Sequence, residues 1–494
     1  MTRVKAGYQL SKQQVLFRMD SIYPLDANNL DVEEAISRLF IYLRTGGRPI
    51  MRTDNPVFTG DNANSETPAA VVEAVFDDNP KHFSGVSDAS RKDLITAWLE
   101  SHYALMSRRG KKKGGQYRMS GLKPLHFMVI KLFNPQPRRQ DRRLSDFFYN
   151  ALKDDLVLTT GADSLFKQFF GVASQRFGDN DYRIDEDKLK SLAQNGKLDI
   201  ELLFLLRLLE PFEADQQSTK KQDQVAAFTF LCPEQIELMR QDLSLLFLYK
   251  SHIPRRELIN YMITLMVFHA ALYFHQIVRM TNDLVKNGKI APPRGSSPFV
   301  GEHRSHTPFN IQFFCDLTNG NVADVDALAK RSYVEQFKEI ERYFKSAYLM
   351  KKVEQFAEGY LTREQKEASG KEYIKILLGG FLRHKDLDGY FARDIQEIIE
   401  NSKDEETDEV DPDLQRVLDI ANQRKLNRLE TFVEILYQRQ YPTLREQHRK
   451  LIADLCGSEQ DRGFMAGRGR TYRKYVIGNE LLEVLIQLAV LRQS

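Results

Sequence analysis

Residues 254–287 read PRRELINYMITLMVFHAALYFHQIVRMTNDLVKN, and this stretch decides the fold class. Its centre, Tyr261–Phe274, is a run of 14 almost uninterrupted apolar residues. That is shorter than the roughly 18 to 20 residues a helix needs to cross a bilayer. His269 interrupts the run, Arg255, Arg256 and Glu257 precede it, and Arg279 follows it. The pattern therefore predicts a central helix buried on nearly all faces rather than a membrane span. Pro254 can start it, and Gly288 ends it after about Asn287.

Working outward, further helical stretches surround this one. Residues 233–250, PEQIELMRQDLSLLFLYK, carry Pro233 in their first turn. GKLDIELLFLLRLLE can be capped at Asp199 and stops before Pro211. Two more helices are expected over 323–359 and 362–382. Near the start, DVEEAISRLFIYLRT at 31–45 has Asp31 as a cap, Glu34 completing a capping box, and Gly46-Gly47 as a stop. Val32, Ile36, Leu39, Phe40 and Leu43 share one face of it. Residues 50–88 are rich in turn formers without a lasting period. The expected fold is mainly α and multi-domain, with minor β near the N-terminus and at 472–477.

The densely acidic NSKDEETDEVDPD at 401–413 reads as an exposed connection. It suggests three consecutive parts: a mixed N-terminal domain over 1–150, a central helical domain over 151–400, and a helical or winged-helix-like module over 414–494. In the last part an amphipathic helix begins near 414, a second helix spans 443–455, and a basic glycine turn leads to a closing helix capped at Asn479.

The 494 residues are 42% apolar and carry a net charge of only +3, so charge distribution says more than charge total. The three cysteines, Cys232, Cys315 and Cys456, form no C-x-x-C pair. That usage suits a reducing cytoplasm. The opening MTRVKAGYQLSKQQ has no long apolar core, so no signal peptide is expected.

No nucleotide-binding motif is found. GRGR at Gly467–Arg470 lacks the lysine and hydroxyl residue of a phosphate loop. Glu302, His303 and His306 in GEHRSHTP read better as solvated or hydrogen-bonded side chains than as metal ligands. His269 and His275 are six apart and do not share a helix face, which suits satisfied core histidines. The acidic pairs Asp154-Asp155 and Asp185/Asp187 lack the surroundings of a nuclease. No catalytic residue, metal ligand or cofactor is assigned.

Two basic segments stand out. From Arg108 to Arg143 there are twelve Lys or Arg residues against one acid, Asp141, a charge of +11 over 36 residues. Arg108, Arg109, Lys111, Lys112, Lys113, Arg118, Arg138, Arg139, Arg142 and Arg143 are the expected nucleic-acid contacts. Glycines at 110, 114, 115 and 121 would let the chain follow a phosphate backbone, and counterion release would supply affinity. A solvated loop or an acidic protein partner is the rival reading. The second segment, RGFMAGRGRTYRKYVIG, offers Arg468, Arg470, Arg473 and Lys474 around a glycine turn and a β-like run.

AGRGRTYRKYVIGNELLEVLIQLAV resembles the C-terminal region of accessory proteins in bacterial phage-defence cassettes linked to DNA phosphorothioation or methylation. Gly467, Arg468, Gly469, Arg470, Tyr472, Arg473 and Tyr475 carry the likeness, which covers about a tenth of the chain. It implies a helical subunit working beside a separately encoded ATPase, methyltransferase or nuclease. The expected function is a non-catalytic, DNA-associated subunit of such a complex, partnered by DNA and other defence proteins. A divergent metal-dependent nuclease and an interaction scaffold without nucleic-acid contact are the alternatives.

Overall fold

The computed structural model describes residues 143–153, 230–287, 323–368, 370–404, 407–456, 463, 466–468 and 474–491, with scattered positions between 10 and 43 and at 165 and 225. Among these the chain is mainly α. Its helices are α1 (Leu144–Leu152), α2 (Pro233–Leu248), α3 (Arg255–Asn287), α4 (Ala323–Ala357), α5 (Arg363–Glu367), α6 (Gly370–Ile376), α7 (Leu387–Ser402), α8 (Pro412–Gln423), α9 (Arg428–Leu455) and α10 (Asn479–Leu491). A 3₁₀ turn covers Lys250–His252, and a π-helical turn, Leu377–Phe381, follows α6. Strands β1 (Ala466–Arg468) and β2 (Lys474–Val476) pair antiparallel, with Gly467 opposite Tyr475. β2 lies inside the 472–477 stretch; the strands expected before residue 90 lie outside the described residues.

The deciding stretch forms α3, within two residues of the bounds its punctuation suggests. An 18-residue window of it has a mean hydropathy of 1.4 and is 89% buried in the protein. The driving force is therefore removal of apolar surface from water inside a core.

The chain divides into two compact units, neither continuous in sequence. One comprises Met1–Asn28, Phe228–Glu237 and Phe268–Gly478; the other comprises Asn29–Ala227, Leu238–Val267 and Asn479–Ser494. In the first unit α9 packs against α4, α7 and α8, so the helices on both sides of 401–413 share a core. Phe391 of α7 meets Phe432 of α9 at 5.3 Å, and both are buried. The acidic stretch is a tight reversal within this unit. Lys403 bridges Val410, Asp411 N–H donates to Ser402 O, and Asp408 takes a left-handed φ of 55°. Lys403 is held between Glu400 (3.0 Å) and Asp408 (3.4 Å).

Two expectations change. The helix expected over 362–382 is broken into α5, α6 and the π-turn. Thr362 and Gln365 form a capping box that starts α5, and the poor helix former Gly370 opens α6. Conversely, α9 runs on through Pro442, where a new helix was expected to begin. A helix-interior proline costs about 3 kcal/mol. Burial of Leu429, Phe432, Ile435 and Leu436 before it, and of Leu451 and Leu455 after it, outweighs that penalty.

In the second unit α1 is buried along nearly its whole length. Tyr149 meets Tyr42 edge-on at 6.1 Å, and Arg240 donates to Ala151 O at 2.6 Å. Val32, Ile36 and Leu39, read as one apolar face, are all buried. Tyr261 donates to Glu483 of α10. α10 buries Leu481, Val484 and Leu488, while Leu482, Ile486 and Val490 remain exposed along its other side.

Candidate nucleic-acid interface

Helix α4 carries Arg331, Lys338, Arg342, Lys345, Lys351 and Lys352. Among its described side chains before Ile340, Ala327, Arg331, Glu335 and Lys338 are exposed, and burial becomes regular only from Tyr343. Along the solvated part Arg331 pairs with Glu335 (2.8 Å) and Arg342 with Glu339 (2.5 Å), using helix neighbours three or four residues apart. Lys338, Glu341, Arg342 and Lys345 line a cleft of about 360 Å³, closed by Tyr437 and Gln438 of α9.

The chemistry of this cleft is that of a polar seam. Lys345 Nζ lies 2.8 and 3.1 Å from the two carboxylate oxygens of buried Glu434 and 4.6 Å above the Tyr437 ring. Gln438 donates to Glu434 at 2.6 Å. Glu434 is thereby satisfied twice, as a buried carboxylate must be. A phosphate entering here would compete with Glu434 for Lys345, so the cleft offers no concentrated positive charge. Lys338 is exposed, and no ion pair is formed by it among the described residues.

Deeper in the same unit, Lys352 is 2% exposed. Burial pulls its pKa down to about 8, against the opposing pull of Asp394. Its ammonium donates to Gln355 at 2.7 Å and sits 5.8 Å from the Phe432 ring. Burial likewise raises the Asp394 carboxyl. His269 is buried and shares a 2.7 Å hydrogen bond with Gln235, which accepts from Gln276 at 2.8 Å. His275 Nε2 lies 3.7 Å from Cys456 Sγ, and burial pushes that thiol well above its ordinary pKa. Buried His269 and half-buried His275 both have partners, as their spacing suggested.

Of the expected phosphate-binding residues, Arg143 is described in full. It takes a left-handed φ of 67° at the start of α1, and its guanidinium bonds Asp146 at 3.0 Å. Asp146 is 3% exposed, so Arg143 neutralises a buried carboxylate and anchors a helix. Arg468 stands opposite Lys474 in the β1–β2 ladder, and β2 packs on α4. Gly478 N–H donates to Gly463 O, closing the base of this hairpin at 2.6 Å. Arg108, Arg109, Lys111, Lys112, Lys113, Arg118, Arg138, Arg139, Arg142, Arg470 and Arg473 lie outside the described residues, as does the GEHRSHTP segment.

An aromatic group missed in the sequence lies where α4 ends. Phe356, Tyr360, Phe381, His384 and Tyr390 bring their rings together from three segments. Only the end of α4 and the start of α7 could have hinted at it, because the intervening chain reads as one helix.

These features define a large α-helical protein whose described polar surface is built from ion pairs on long helices, with a basic hairpin near its C-terminal end. The chain belongs to the family of the methylation-associated defense system protein MAD7, whose model matches residues 12–494. No curated protein and no solved structure matches it. The match extends over nearly the whole chain the likeness seen in its last residues, and it selects the methylation-linked branch of that likeness.

Proposed function

We propose that this chain is a non-catalytic, DNA-associated subunit of its methylation-associated defence system. It would work in the cytoplasm beside separately encoded enzymes and other proteins of the system. The observation that carries this reading is the charge of +11 over residues 108–143. Such density repels itself unless a polyanion or solvent screens it. The interspersed glycines favour close approach to a phosphate backbone, and family membership supplies the setting in which DNA is at hand.

The test is fluorescence anisotropy of the full-length chain on duplex DNA between about 50 and 300 mM salt, where screening changes strongly. Affinity should fall steeply with salt and depend little on sequence. Joint replacement of Lys111, Lys112 and Lys113 by Gln should lower the salt slope by roughly 3, if each meets one phosphate. Arg470→Gln and Arg473→Gln should have smaller effects. Equal affinity and slope in the triple variant would remove 111–113 from the interface. Failure of the folded parent to bind duplex at low salt would turn the reading toward a protein partner.

A further inference from the structure

Tyr360 is 50% exposed just beyond the end of α4, yet its ring is supported on several sides. Phe356 lies 5.0 Å away at a 35° tilt, and His384 lies 4.9 Å away at 50°. Beneath them Phe381 stacks on His384 at 6.1 Å, and Tyr390 meets Phe356 edge-on at 5.4 Å. Phe356 and Phe381 are buried. Tyr360 is therefore the outward ring of a platform fixed from below.

The surroundings are open and carry cations beside carboxylates. The π-turn that carries Phe381 exposes Gly379 and Gly380, and a Cβ added at either would meet nothing within 4 Å. π-turns interrupt helices at a cost and are frequent at functional sites. Arg383 and Lys385 flank His384 and are exposed, and neither forms an ion pair among the described residues. Nearby cations behave differently: Lys351 pairs with Glu354 (2.6 Å), Arg363 with Glu367 (3.1 Å) and Lys375 with Glu372 (3.4 Å). Asp386 and exposed Glu358 belong to the same surface, with Asp386 3.7 Å from His384. Two cations thus face two carboxylates, and flat rings rather than net charge dominate the surface.

We propose that this platform binds an unstacked nucleobase of single-stranded DNA, with Tyr360 and His384 against the base and Arg383 and Lys385 on neighbouring phosphates. The inference rests on the DNA-associated reading above. Exposed aromatic rings beside unpaired cations are the means by which proteins hold single strands without reading sequence. Bases within a duplex are already stacked and cannot use such a platform.

The experiment measures anisotropy of the full-length chain with a labelled oligo-dT of about 16 nucleotides, near the upper end of common single-strand site sizes. Tyr360→Leu keeps apolar contact with Phe356 but removes the stacking ring. It should weaken oligo-dT binding about tenfold, with an unchanged salt slope, because stacking releases no counterions. Tyr360→Trp should restore affinity. Joint Arg383→Gln and Lys385→Gln should instead lower the single-strand salt slope by about 1.4. Thermal melting of each variant separates lost binding from lost fold. Parental affinity in Tyr360→Leu, or equal losses in the Leu and Trp variants, would overturn the platform. Duplex binding without oligo-dT binding would overturn the platform alone. Tyr360-dependent oligo-dT binding without duplex binding would overturn only the role given to residues 108–143. Binding to neither would overturn both.

Discussion

Helices α3 and α4 are nearly equal in length, 33 and 35 residues, but they solve opposite problems. α3 is enclosed, so its polar groups depend on partners inside the protein, which most have, although Thr264 Oγ1 and Gln276 Oε1 have none among the described residues. Tyr273 accepts from Leu231 N–H at 3.2 Å, and Gln276 donates to Gln235. In α4 the charged side chains described at Arg331, Glu335 and Arg342 are exposed and pair with helix neighbours, and the core is entered from Tyr343 onward. Polar groups on the enclosed helix are therefore specific and expensive to lose. Those on the solvated half are interchangeable.

The largest expected effect that probes this contrast is at Tyr273, whose side chain is fully buried. Tyr273→Ala should cost about 3–5 kcal/mol through the cavity and the orphaned Leu231 N–H. Tyr273→Phe should cost only about 1–2 kcal/mol. Denaturant titration reads both, and a cost below about 1 kcal/mol for the alanine variant would break the contrast. The smallest expected effect is Arg331→Ala, which removes a pair that is 76% and 58% exposed and should change stability by no more than about 0.5 kcal/mol.

Between these lies Lys352, on the buried half of α4. Its folded pKa is near 8, below the ordinary 10.5. Between those values the unfolded chain binds more protons than the folded one, so stability rises with pH across that window. The full gain is about 3 kcal/mol. Buried Tyr343 and Tyr348 act with the opposite sign: burial holds them above the ordinary 10.0, so stability falls once pH exceeds about 10. The expected profile climbs from pH 8 toward 10 and then drops. In Lys352→Met the climb should disappear while the drop remains, as followed by chemical denaturation at each pH. A climb that survives the substitution would locate its source elsewhere.

The legibility of these parts follows the same contrast. α3 could be read from sequence because uniform apolar density flanked by Pro254 and Gly288 leaves few alternatives. α2 and α4 were bounded nearly as well by Pro233 and by periodicity. The course of the chain past Pro442 was not legible, because burial on both sides of the proline overrides its local preference. The division into units was also hidden, since both gather segments distant in sequence. At the candidate interface, the basic residues announced themselves by density, but the carboxylate that claims Arg143 did not. Asp146 looks like any first-turn acid until its burial is seen. The aromatic platform was invisible because its rings come from Phe356, Tyr360, Phe381, His384 and Tyr390, which no single helical period aligns.

The reversal at Lys403–Val410 has a consequence for how the chain can be lengthened. Its two ends are joined as bridge partners, with a further hydrogen bond from Asp411 to Ser402. Extra residues placed between Thr407 and Glu409 would enlarge a ring whose neck is already tied. Doubling such a ring adds only about 0.6 kcal/mol of closure entropy. A peptide tag or a small reporter domain inserted there would therefore leave α7 and α8 in register on α9. This makes the acidic turn a handle by which the chain can be followed within its defence system.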